Sequence, residues 1–245
     1  MQLRFHFPKN IDFNFENFVL DNKNSEVVAL CRAFSLRSKG QPASLALYGP
    51  PGCGKTHLLG AMGDYVKKIP GNDKALYLDA IALKKWVSQT GSYDELKERL
   101  REFEEASFVA IDNLDSLIGD EAAQEQVFHL YNAVTQNGSA LATALVTAPA
   151  GWNFIPELKT RLLWGQALEL KPVGDDKRAL VLVKMAKDLA MTLPGNCASW
   201  IITRTARDTS SQLEALRKID RLSLTTRRKV SIQLIKEALG VEDGI

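Results

Sequence analysis

The stretch GPPGCGKTHLL at 49–59 constrains this chain more than any other. It follows a short apolar run, SLALYG at 44–49, and leads into a segment with helical spacing, so it sits where a strand gives way to a helix. Gly49, Gly54, Lys55 and Thr56 satisfy the pattern G-x-x-x-x-G-K-[ST]. The spacing has a physical reason. Glycines let backbone N–H groups converge on phosphate oxygens without a Cβ in the way, and the following helix adds its positive end. Gly49, Pro50, Pro51, Gly52, Cys53, Gly54, Lys55, Thr56 and His57 are therefore the candidate cradle for a nucleotide, either ADP or ATP. Lys55 is expected to reach the terminal phosphates and Thr56 to hold Mg²⁺.

Four further apolar runs alternate with helical patterns: KALYLD at 74–79, SFVAID at 107–112, ALATALVTA at 140–148 and ALEL at 167–170. Strand and helix repeated in this way predict an α/β fold, a parallel sheet covered on both faces. After Pro172 the strand patterns stop. Ala179, Leu182, Val183, Ala186, Leu189 and Ala190 form one helical stripe, and SIQLIKEALG reads as another helix with Gly240 at its cap. The expected organisation is an extended tail at 1–9, an α/β domain at 10–171 and a small helical domain at 172–245. With 245 residues, 45% of them apolar, the chain can build both cores.

Charge and cysteine content narrow the setting. A net charge of +2 is too small for a general nucleic-acid coat. No apolar run is long enough to span a bilayer and no signal-peptide core opens the chain, so a cytoplasmic protein that avoids membranes is expected. Cys31, Cys53 and Cys197 are far apart and fit reduced, unpaired thiols.

The run FVAID ends in Asp112, the usual position of the carboxylate that fixes Mg²⁺ beside a phosphate-binding loop. Many such ATPases carry a second carboxylate next to it to activate water. Here that residue is Asn113, whose amide can orient water but cannot take its proton near neutral pH. Asp115 either compensates or simply begins the next helix. Nucleotide binding with slow turnover is the expectation.

GPPGCGKTHLLGAMGDYV, FNFENFVLDNKN, FVAIDNLD and TRLLWGQALELKPV, occurring in this order, resemble the ATPase region of the DnaA family of bacterial replication initiators. They resemble more closely its shorter Hda branch, regulators that inactivate the initiator. The resemblance runs from about Phe13 to Leu239. It implies a P-loop AAA+ module, a five-stranded parallel sheet with a small α-helical lid, and two helices inserted at 81–106. It implies that Phe18, Val19 and Leu20 pack around the nucleotide base and that Asn24 matches a motif asparagine. It makes Arg161 the candidate arginine finger, a guanidinium offered to the γ-phosphate of a neighbouring subunit. The catalytic set carried over is thus Arg161, Asp112 and Asn113, with Thr56 and Asp112 on the metal.

Departures from the family pattern point the same way. Ala148 stands where a polar sensor is usual, with Thr147 beside it, and Ser210 stands where the lid carries an arginine. A serine cannot replace a guanidinium at phosphates. Together with Asn113, these positions imply a nucleotide-held regulator more than an engine. Sequence-specific DNA binding is not expected of a chain ending at Ile245, and Arg227, Arg228 and Lys229 read as a solvated face or a phosphate contact.

The opening MQLRFHFP admits two readings: an edge strand closed by Pro8, or a peptide for a partner's groove. Gln2, Leu3, Phe5 and Phe7 resemble the short peptide by which bacterial replication proteins dock on the DNA sliding clamp, the β subunit of polymerase III. The implied function is regulatory inactivation: clamp docking through residues 2–7, and Arg161 stimulating hydrolysis of ATP bound to DnaA. A DnaA-like helicase loader, or another AAA+ adaptor in replication, is the alternative. Whether the protein works as a monomer or homodimer stays open.

Overall fold

The computed structural model describes residues 13–36, 43–72, 74–89, 93–205 and 209–241. Gln2, Leu3, Phe5 and Phe7 lie outside the described residues. Contacts divide these residues into two units, the first formed by 13–18 and 22–172, the second by 19–21 and 173–241. Among the described residues no helix is long and apolar enough to cross a membrane.

The first unit holds the five strands that the sequence pattern predicts: β1 (Ser44–Tyr48), β2 (Ala75–Asp79), β3 (Phe108–Asp112), β4 (Ala140–Leu145) and β5 (Gln166–Glu169). They are all parallel, in the order β2-β3-β4-β1-β5. The helices between them are α1 (Ser25–Ser35), α2 (Lys55–Lys67), α3 (Ala80–Gln89), α4 (Tyr93–Glu104), α5 (Glu121–Gln136) and α6 (Pro156–Trp164). The expected pair between β2 and β3 is therefore present as α3 and α4.

Strand alternation sorts the core into two layers. Leu45, Leu47, Tyr77, Phe108 and Ala110 face α1 and α2, where Cys31, Phe34, Leu58 and Met62 meet them. Ala46, Leu76, Leu78, Val109 and Ile111 face the other way, against Leu83, Phe103, Val127, Leu130 and Leu162 of α3 to α6. Both sheet faces are dry, which is why the strand sequences read as continuous apolar runs. The three cysteines are buried and free, and burial pushes the Cys31 thiol up to about 12.

Order in the sheet decides where a ligand can sit. β1 lies between β4 and β5 while the chain leaves it for β2 at the far edge, so the direction of winding reverses beside β1. The crevice at the carboxyl ends of strands beside such a reversal is where open α/β sheets bind ligands. Asn24 closes the same region from the N-terminal side. Its fully buried amide donates to Lys171 O at 2.7 Å and accepts from Lys171 N at 3.0 Å, so the end of β5 is stitched to the start of the unit.

β4 is shorter than the apolar run 140–148 predicts. It stops at Leu145 because the next two amides, of Val146 and Thr147, donate to the Asp115 carboxylate instead of a strand partner.

The second unit is helical: α7 (Asp175–Asp188), α8 (Gly195–Arg204), α9 (Thr209–Thr226) and α10 (Ile232–Leu239). Leu182, Ala186, Cys197, Ile201, Leu216, Ile219, Leu234 and Ile235 make its core. Ser231 caps α10 by accepting from Leu234 N. Gly240, at φ 65°, ends it with Val241 N donating to Lys236 O. The stripe on α7 holds as far as Leu189, but Ala190 is past the helix at φ 58°. It occupies the left-handed position of a helix-ending turn in which Met191 N donates to Ala186 O. A Cβ is disfavoured there. Ala190→Gly is expected to raise stability by about 1 kcal/mol, read as a higher denaturation midpoint at unchanged slope.

Candidate functional site

The cradle begins where β1 ends. Gly49, at φ 151°, donates its N–H to Leu145 O, and a Cβ there would lie 2.1 Å from Leu170 O. Gly52 and Gly54 also have positive φ, 78° and 106°, which turn the loop into the first turn of α2. A Cβ on Gly54 would meet the Phe18 ring at 2.8 Å. The glycines are thus required by sterics that the motif alone does not reveal: the backbone just past β5 at one and an aromatic ring at the other. The Lys55 ammonium donates to Gly49 O at 2.6 Å and Pro50 O at 2.9 Å, which holds it at the mouth of the loop. Cys53 is buried against it, and that burial raises the thiol's proton affinity more than the adjacent ammonium lowers it.

An aromatic group flanks the cradle. His57 Nε2 hydrogen-bonds to Asn14 O at 2.9 Å, and its ring meets Phe13 edge-on at 5.4 Å and Phe18 at 5.3 Å. Val19 and Leu20 group with the second unit.

Asp112 is at the centre of the polar cluster. It is only 3% exposed, yet its Oδ2 accepts from Thr56 Oγ1 at 2.6 Å and from the Tyr77 hydroxyl at 2.9 Å. Its Oδ1 accepts from Asn113 N at 2.9 Å. Thr56 and Asp112, both expected on a metal, touch each other directly, and Tyr77, which the sequence does not single out, joins them. Its signal was available, since Tyr77 and Asp112 fall on adjacent strands two residues out of register on the same face.

Asn113 stands in the left-handed region at φ 56° and turns its amide away, donating Nδ2 to Asp79 Oδ1 at 3.1 Å. The amide is thus engaged with the end of β2. Asp115 does more than begin a turn. Its carboxylate accepts from Val146 N, Thr147 N and, at 2.9 Å, the Thr147 hydroxyl. Thr147 is in turn anchored through its carbonyl, which accepts from the Nε1–H of buried Trp152 at 2.9 Å. Ala148 begins a short turn and offers no polar atom beyond its backbone. The Ser210 side chain is outside the described residues.

Arg161 lies at the other end of the sheet from the cradle. Its guanidinium stacks 4.1 Å over the Trp164 ring, itself 66% exposed, and lines a cavity of about 390 Å³ with Ala43 and Ser44, where β1 starts. Among the described residues it makes no ion pair.

Comparison with known proteins gives this arrangement its relatives. A family model of the bacterial DnaA ATPase domain matches residues 9–169, and one of the Hda lid domain matches residues 175–239. Domain III of the Thermotoga maritima replication initiation protein DnaA has the same fold at a TM-score of 0.81 and 23% identity, over 95% of this chain and 98% of that one. AMPPCP-bound DnaA from Aquifex aeolicus gives 0.68 at 17% identity, over 95% and 80% of the two chains. The Thermotoga maritima RuvB Holliday junction branch migration motor gives 0.65 at 14% identity, over 95% and 72%.

The Asp115 clasp on the end of β4 has a direct consequence. Asp115→Ala is expected to cost about 2 kcal/mol, the scale of hydrogen bonds to a charged group, and to speed amide exchange at Val146 and Thr147 while α2 keeps its protection.

Proposed function

The chain belongs to the bacterial DnaA ATPase family, and on that premise we propose that it is a regulator of chromosomal replication initiation. In this reading it holds ADP or ATP in the 49–57 loop with Phe18 and His57 beside it. It docks on the DNA sliding clamp through Gln2, Leu3, Phe5 and Phe7, and it stimulates hydrolysis of ATP bound to DnaA through Arg161. Its work is in the cytoplasm.

The observation that carries the reading is the separation of the two ends of β1. Gly49 marks the cradle, whereas Arg161 sits beside Ser44, five residues back. At about 3.3 Å per residue the two lie roughly 16 Å apart, too far for Arg161 to serve the cradle of its own chain. A guanidinium that makes no ion pair among the described residues and sits over an exposed tryptophan suits a phosphate presented by another molecule.

The cradle's own chemistry supports holding more than turnover. The Thr56 hydroxyl and Asp112 carboxylate, 2.6 Å apart, are hard oxygen donors of the kind Mg²⁺ takes. When bound, that ion would supply charge neutralisation between phosphates. Among the described residues no group of three His, Cys, Asp or Glu could hold a metal unaided, so such an ion would rely on the nucleotide. Asn113, tied to Asp79, supplies no base. Thr147 is committed to Asp115. The residues present bind and orient, and the acceleration is reserved for DnaA's site.

Arg161→Ala is expected to lower stimulation of DnaA-bound ATP hydrolysis by on the order of 10³-fold, while ADP affinity, measured by calorimetry, stays within twofold. Stimulation equal to wild type would sink the arginine-finger role. In a clamp pull-down, the double variant Gln2→Ala, Leu3→Ala is expected to lose binding yet keep nucleotide affinity. Clamp binding that survives this change would return the tail to an edge strand.

A further inference from the structure

Asp112 is the group on which the nucleotide-holding role depends, and one of its partners has no assigned part in that role. Tyr77 is on β2, 9% exposed, in the buried layer under α1 and α2 that also holds Phe108 and Ala110 of the adjacent β3. A buried tyrosine needs a partner for its hydroxyl. Tyr77 is opposite Ala110 in the register, and its hydroxyl reaches diagonally to Asp112, the residue two further along β3.

The details of the contact matter. Tyr77 donates at 2.9 Å to Oδ2, the same oxygen that accepts from Thr56 at 2.6 Å. The main-chain donor Asn113 N holds the opposite oxygen, Oδ1, at 2.9 Å. Rotation of a carboxylate about its last torsion is soft, so a group that binds a metal directly or through water must be held from outside. Thr56 cannot do this alone, because its hydroxyl is the atom that would turn to the ion. The Tyr77 hydroxyl, by contrast, comes from β2 and is not one of the two oxygen donors assigned to the ion.

We propose that Tyr77 is a positioning residue for the metal half of the nucleotide site: it fixes the Asp112 carboxylate in the orientation from which Mg²⁺ is held. This rests on the nucleotide-binding role proposed above. Removal of the hydroxyl leaves the ring and its packing intact, so the effect is confined to whatever depends on the direction of Asp112.

The test is calorimetric titration of ADP into the full-length protein, with Mg²⁺ and with EDTA, for wild type, Tyr77→Phe, Asp112→Asn and the double variant. Wild type is expected to bind more tightly with Mg²⁺. Tyr77→Phe is expected to lose 10- to 100-fold of that gain, the usual size of an outer-shell effect on a metal, with its EDTA affinity within about twofold of wild type. In the Asp112→Asn background the same change is expected to have no further effect. An unchanged gain from Mg²⁺ in Tyr77→Phe would overturn the proposal. An equal loss with and without Mg²⁺, or an additive loss in the double variant, would also overturn it, since the tyrosine would then act on the fold. No ADP binding by wild type would refute the nucleotide site itself, a result distinct from either.

Discussion

A carboxylate taken out of water is tolerable only where donors replace the water, and Asp112 meets that demand from three elements at once. Thr56 comes from the first turn of α2, Tyr77 from β2, and the Asn113 amide from the turn after β3. The phosphate-binding loop, the sheet edge and the following turn are therefore fixed relative to one another by one side chain. The glycine loop depends on this indirectly. Its shape is set by Leu170 and Phe18 on either side, and its exit into α2 is set by Thr56.

Around that centre the other polar residues are tied to each other in pairs. Asn113 is bound to Asp79, Thr147 to Asp115, and Asn24 to Lys171. Each pair ties together two segments of the chain at the carboxyl edge of the sheet. Arg161 is placed apart from these pairs, over the exposed Trp164 ring near the start of β1.

The legibility of these features in the sequence follows their range. Strands, the glycine loop and Asp112 depend on neighbours within a few residues and on burial, which is written in apolar runs. Asp115 was ambiguous because its partners, Val146 and Thr147, are 31 and 32 residues away. The early end of β4 followed from that same bond and could not be seen in ALATALVTA. Ala190 completed an apolar stripe and so read as helix, but a helix-ending turn competes with the stripe and wins there.

The sequence by itself determined the α/β class and the glycine-rich turn between β1 and α2, because periodicity and a fixed motif spacing are local. Family membership, too, rests on residues in order along the chain. Only the tertiary structure decided which way each polar side chain turned: Tyr77 onto Asp112, Asn113 onto Asp79, Arg161 away from its own cradle. Hydrogen bonds between strands depend on sheet order and register, and β2 meets β3 only after the sheet has assembled. A residue's type states what it can donate or accept; only the fold brings the partner within 3 Å.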